Sequence, residues 1–333
     1  MSKLILHVGT HKTATTTIQD LLALNRKVLS DHGIVYPKLG PAGGQHGLVT
    51  DWIELPAHYN LPGGAVAAWK SLAQTYAKGD RTVLLSSEEF SRGHPHRFMD
   101  LATVRDICSG FDEFQVVCCV RNQISFLQSL YLEVAKNNVA VPWKQAFNGA
   151  ISRHLALGLC LDYNDLYQHL QRGFAPEEIR FFTFEQAIKR PDGIVGELLD
   201  SIGLSHLAPD LKPLPKGNSN VSQDPLAAWA SAQIAENASA GAPLLAIARR
   251  VLEQEFGKDA KTTVYTEEEK KQLIRTFDPL NRKFEDDIRK TGHDLNIVWP
   301  KPNPDMVHRG DIKLRYWIRL SRALYAASPK LHK

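Results

Sequence analysis

Lys12 stands in a run of hydroxyls: His11 precedes it, and Thr13, Ala14, Thr15, Thr16 and Thr17 follow. An ammonium, several hydroxyls and the open backbone N–H groups of a helix start make a donor set for a phosphate, or for something of that shape. Arg121 and Ser129, eight residues apart, form a second set. A guanidinium fork with a hydroxyl suits a phosphate monoester. Glu88 and Glu89 close an apolar run. Carboxylates at that end of a strand lie on the edge where open α/β sheets bind ligands. His46 sits in a Gly-, Pro- and His-rich stretch and is a candidate for a substrate or acid/base role.

Elements must hold these groups in place. Leu4 to Val8 is an apolar run ended by Gly9, which predicts a buried strand. Ile18, Leu21, Leu22 and Leu24 then share one helical face, so a helix is expected over about 15–30. Strand, polar loop and helix N-terminus together point their N–H groups and dipole into the loop. A Thr-rich helix cap alone would carry the same residues. The loop is not G-x-x-x-x-G-K-[ST], since Lys12 lies three residues after Gly9 with no second glycine between.

Further strands are expected at 34–37, 82–86, 114–120 and 179–184, alternating with helices near 66–76, 97–108, 123–136 and 142–172. That alternation predicts an α/β fold, a parallel sheet flanked by helices. Residues 39–64 read as a long loop with at most one short helix. After Gly203 strand signals fade, and helices are expected at 225–237, 243–256 and 267–290. Residues 311–326 form a basic amphipathic helix candidate, with Ile312, Tyr316, Leu320 and Ala323 on one side. A docked or solvated terminal helix is its ordinary meaning; peripheral contact with a membrane through the basic tail is the other.

The chain has 333 residues, enough for one large or two modest domains. Its net charge of +4 permits anionic ligands but carries no concentrated basic patch, so nucleic acid is not an expected partner. The four cysteines form no CxxC pair and read as core thiols of a reducing compartment. No signal peptide or membrane span is visible, which fits a cytoplasmic protein. Oligomeric state is not legible.

Taken together, the two anion sets resemble the sulfotransferases that use 3′-phosphoadenylyl sulfate (PAPS). That family carries a 5′-phosphosulfate loop of the form P-K-S-G-T-T-W after its first strand, and a strand–Arg–x7–Ser–helix motif for the 3′-phosphate. The counterparts are His11 to Thr17, and Val120-Arg121 through Ser129. The wording HVGTHKTATTTIQ looks most like the bacterial members. Similarity continues through Leu84 to Phe90, Phe181 to Glu185 and Lys216 to Ser222, covering roughly residues 3–225. His11 replaces the usual proline. Ala14 replaces the loop glycine, so the backbone there is expected to be held without positive φ.

The resemblance implies a P-loop-like sulfotransferase core over 1–222 and a helical C-terminal extension over 223–333 packed on it. Lys12 would contact the oxygen bridging sulfonate and phosphate, where charge builds as the sulfuryl group leaves. Thr13, Thr15 and Thr16, with backbone N–H groups of the His11–Thr17 loop including Ala14, would hold the 5′-phosphate, with Thr17 near the adenine. Arg121 and Ser129 would hold the 3′-phosphate, and Lys216 and Gly217 would close over it. An acceptor hydroxyl needs a general base. Glu88 is the first choice, Glu89 the second and His46 the third. Residues adjacent on a strand alternate sides, so only one glutamate is expected to face the site. PAPS would be the donor, no metal is required, and the acceptor would be a small molecule or a glycan hydroxyl. A P-loop-type small-molecule kinase, which needs Mg²⁺, and a non-catalytic nucleotide-binding protein are the alternatives.

Overall fold

The computed structural model describes residues 1–94, 97–136, 141–215, 223–236 and 240–328. By internal packing the chain divides into two compact units. One comprises Met1–Asn122, Gly158–Asn218 and Pro279–Val298; the other comprises Gln123–Leu157, Ser219–Asp278 and Trp299–Lys333.

The first unit is built on five parallel strands: β1 (Lys3–His7), β2 (Ile34–Val35), β3 (Thr82–Ser86), β4 (Glu113–Val120) and β5 (Ile179–Thr183). Their order is β2-β3-β1-β4-β5. The strands are apolar runs because both sheet faces are covered. Leu4, Leu6, Val83, Leu85, Val116 and Cys118 pack on one face, with Trp69, Val104 and Phe284. Ile5, Leu84, Val117 and Cys119 pack on the other, with Ile18, Leu22 and Leu198. This is the expected α/β class. All four cysteines are buried free thiols.

Register decides what meets at the sheet's C-terminal edge. His7 aligns with Ser86 of β3 and with Val117 of β4. Strand β4 therefore runs on beyond β1, and the loop after β1 follows it. Val8 N donates to Val117 O at 2.7 Å and Thr10 N to Cys119 O at 3.0 Å.

The expected first helix is two, α1 (Thr15–Leu24) and α2 (Arg26–Asp31). Asn25 separates them. Its Nδ2 donates to Leu21 O at 2.8 Å and Lys212 O at 3.0 Å, and its Oδ1 accepts from Lys212 N at 2.8 Å. A buried amide that bonds backbone in this way competes with the helix ladder. The helix expected over 97–108 is Leu101–Ile107, because Asp100 caps it by accepting from Thr103 N at 3.1 Å. The stretch 142–172 holds two helices, Trp143–Arg153 and Tyr163–Leu170. His154, Leu157 and Gly158 between them adopt positive φ, which ends a helix.

The second unit is largely helical. Helices Pro225–Ile234, Ala242–Phe256 and Leu314–Ala327 share a core of Leu226, Ala230, Val251, Leu252, Tyr316 and Leu320. Tyr316 and Leu320 thus dock the basic helix by the face expected of it. Leu314, Ile318 and Tyr325 remain exposed. Strands Lys261–Thr263 and Met306–His308 pair in parallel there, where the sequence carries no strand signal. No described helix is long and apolar enough to cross a membrane.

Candidate active site

Three neighbouring strands of the first unit end beside one another, and each delivers part of the site. The loop after β1 is central. Gly9 has no room for a side chain: a Cβ there would lie 2.2 Å from Thr15 Cγ2. Thr10 Oγ1 donates to Cys119 O at 3.0 Å, and Thr13 Oγ1 donates to Thr10 O at 2.5 Å. Thr13 and Thr15 are buried, whereas Thr16 and Thr17 are exposed on the first turn of α1.

Ala14 corrects an expectation. It takes φ 60°, ψ 26°, in the left-handed region, and Lys12 takes φ 64°. Thr13 between them keeps negative φ. Such an alternation of hand turns a strand into a helix over few residues, and backbone of this kind is a general source of concave runs of N–H groups. An alanine pays about 1 kcal/mol for it. Ala14 is also the N-cap of α1 and supplies no side-chain cap.

Arg121, just past β4, reaches back to this loop. Its guanidinium donates to Lys12 O at 2.8 Å, lies 3.8 Å from Glu185 Oε1 and sits 4.5 Å from the Phe184 ring centre. Its Nε is buried without a hydrogen bond. Burial lowers the Arg121 pKa, against the charge of Glu185. Burial raises that of Glu185, against Arg121 and Asn122. Asn122 Nδ2 donates to Glu185 Oε1 at 2.6 Å, and the Tyr163 hydroxyl donates to Arg121 O. Neither Glu185 nor Tyr163 was singled out as a site residue by sequence. Glu185 had a signal, its place directly after a strand; Tyr163 had none.

On the other side of β1, the chain leaves β3 in a 3₁₀ turn, Glu88–Ser91. The strand ends at Ser86, so alternation by pleat does not extend to the glutamates, and both face the β1 loop and α1. Glu89 Oε1 lies 3.4 Å from His11 Nε2, and its other oxygen pairs with Arg92. Burial alone would raise Glu89, but hydrogen bonds and charge from His11 and Arg92 hold it at about 2. Glu88 Oε2 accepts from Gln19 Nε2 of α1 at 2.9 Å and lies 3.8 Å from His46 Nδ1. His46 Nδ1 is also 2.9 Å from Ser87 Oγ, and its ring meets that of Tyr59 edge-on at 5.2 Å. Burial, then the charges of Glu88 and Glu89, raise the Tyr59 phenol.

Beneath them lies a buried histidine that reads as part of a strand. His7 Nδ1 is 2.8 Å from Ser86 Oγ, and its Nε2 has no hydrogen-bond partner. Burial pushes it down to about 4, against the nearby charge of Glu88.

The structure thus brings together His11, Lys12, Thr13, Ala14, Thr15, Arg121, Glu88, Glu89 and His46 around one loop. Ser129 lies on helix Gln123–Lys136 of the second unit, partly exposed. Lys216 and Gly217 fall outside the described residues.

No family model matches the chain, and no curated protein matches it. Among solved structures it is similar to a sulfotransferase from Alicyclobacillus acidocaldarius, at 16% identity and TM-score 0.40, covering 70% of this chain and 91% of that one. It is also similar to the sulfotransferase domain from the curacin biosynthetic pathway, at 12% identity and TM-score 0.33, covering 84% and 98%. A third is the sulfotransferase domain of the Synechococcus PCC 7002 olefin synthase, at 11% identity and TM-score 0.31, covering 84% and 94%.

Proposed function

We propose that the chain is a sulfotransferase that moves the sulfuryl group of PAPS in line to an acceptor hydroxyl, releasing adenosine 3′,5′-bisphosphate. One observation carries the reading. An anion-type loop with Lys12 lies between an arginine anchored on it from β4 and two carboxylates from the turn after β3, Glu89 facing His11 of the loop and Glu88 held by Gln19 of the helix that follows it. A donor with a phosphate at each end and an acceptor with a proton to lose need those groups in that order. The buried, unbonded Nε of Arg121 and Nδ1 of His11 support an anionic ligand here.

In this reading the acceptor oxygen forms a bond to sulfur as the bond from sulfur to the 5′-phosphate oxygen breaks. Lys12 offsets the charge that collects on the departing oxygen. Glu88, or His46 beside it, takes the acceptor's proton. Arg121 holds the 3′-phosphate, and Ser129 enters from the Arg-x7-Ser spacing alone. No step requires a metal. Tyr59 and His46 at the acceptor side suit the apolar face of a sugar, so we favour a carbohydrate or glycan hydroxyl.

Calorimetric titration of adenosine 3′,5′-bisphosphate without Mg²⁺, with ATP as control, tests the reading. Metal-independent binding that prefers the bisphosphate and is lost in Arg121→Ala is the expected result. Binding of ATP alone, and only with Mg²⁺, would replace this reading with a kinase.

A further inference from the structure

His11 occupies the position of the resembled loop's proline, and its ring is held from one side only. Nε2 faces Glu89 Oε1 at 3.4 Å, while Nδ1 is buried with no hydrogen bond. The two side chains are 17% and 12% exposed, so water does little for either. Both carboxylate oxygens of Glu89 are engaged, one facing His11 and the other paired with Arg92.

We propose that His11 is a direct ligand of the donor's phosphosulfate through Nδ1, and that Glu89 is the positioning residue that anchors its ring rather than the acceptor's base. This rests on the donor reading given above. The chemistry follows from the tautomers. An ionised Glu89 accepts, so Nε2 carries a hydrogen. A neutral ring then presents a lone pair at Nδ1, which repels an anion. The imidazolium presents a second N–H and attracts it. Anion binding therefore favours the imidazolium over the neutral ring and is linked to proton uptake. Among the described residues, Glu89 faces the ring and is paired with Arg92, its charge also reaches Tyr59, and Lys12 follows His11 in the loop. A carboxylate held at about 2 is also a weak base. Glu88 and His46 remain for the acceptor.

The test is calorimetry of adenosine 3′,5′-bisphosphate with the full chain in two buffers of different ionisation enthalpy, which counts protons taken up. His11→Asn keeps a non-titrating N–H donor near the Nδ1 position, His11→Ala removes it, and Glu89→Gln keeps the shape of the anchor without its charge. Thermal unfolding establishes that each variant is folded. Wild type should take up a fraction of a proton beyond that of His11→Asn and should bind about tenfold more tightly than His11→Ala. Glu89→Gln, which removes the charge facing Nε2, should reduce that extra proton uptake. Equal affinity and equal proton uptake in wild type and His11→Ala would overturn the inference while leaving the donor reading intact. No bisphosphate binding by wild type would remove both.

Discussion

The Arg121 guanidinium donates to the backbone carbonyl of Lys12 at 2.8 Å. An arginine past the end of one strand thereby fixes the loop that follows its neighbour. In the proposed donor reading the same side chain meets the 3′-phosphate, so that loop geometry and ligand binding would share a residue.

Arg121→Ala should therefore cost both stability and affinity. It removes the bond to Lys12 O and leaves the half-buried Glu185 without its cation. We expect a loss of about 1–3 kcal/mol in urea unfolding and at least a tenfold loss of bisphosphate affinity. Arg121→Lys should recover little of either, because an ammonium cannot reach Lys12 O and Glu185 together as the planar fork does. Full recovery by lysine would contradict this account.

Ala14→Gly should be neutral to slightly stabilising. Glycine reaches φ 60° freely, while its extra freedom in the unfolded chain offsets part of the gain. Ala14→Val should lose about 1–2 kcal/mol, since a β-branched residue resists the left-handed region. Thermal unfolding of the two variants reads the difference directly.

Gly9 and Thr15 should be energetically coupled. A Cβ on residue 9 would overlap Thr15 Cγ2. Gly9→Ala is expected to destabilise by about 1–3 kcal/mol, and adding Thr15→Ser, which deletes that methyl, should return a good part. A double-mutant cycle with no interaction energy would show that the loop relaxes elsewhere.

Stability should fall with acid as two buried histidines become charged on unfolding. Burial holds His7 and His169 at about 4 against an ordinary 6.5. Each ring is neutral in the fold and free to protonate once unfolded. Their contribution is whole above pH 6.5 and declines as pH falls toward 4, by about 2 kcal/mol each at pH 5. Glu89 works in the next window, with its contribution lost only as pH falls from 4.5 toward 2. Urea unfolding at about pH 7.5 and pH 5 should show the first loss, and His169→Leu should roughly halve it.

The basic helix gives a separate expectation. Leu314, Ile318 and Tyr325 form an exposed stripe on the side away from Tyr316 and Leu320, with Arg322 and Lys313 exposed nearby. Contact of this helix with an anionic membrane predicts sedimentation with phosphatidylserine vesicles at low salt that Ile318→Glu with Arg322→Glu abolishes. Both positions are exposed, so the fold should survive the change. Equal sedimentation of the variant, or none of wild type, would leave the helix as a docked element only.

By itself the sequence determined where the main elements lie. A strand buried on both faces is an uninterrupted apolar run, and β1, β3, β4 and β5 were each legible within a residue or two for that reason. Helix Gln123–Lys136 was legible through its apolar spacing. The types of group in the β1 loop were visible as well, because Lys12 and its threonines are contiguous. Tertiary structure decided what surrounds them. Only the strand order, with β1 between β3 and β4, sets Glu88 and Glu89 on one side of Lys12 and Arg121 on the other. Only the packed loop forces Ala14 into the left-handed region. Glu185, Phe184 and Tyr163 join Arg121 across more than forty residues of chain. Local periodicity reports which side of an element is buried; it carries no record of which distant side chain will be buried against it.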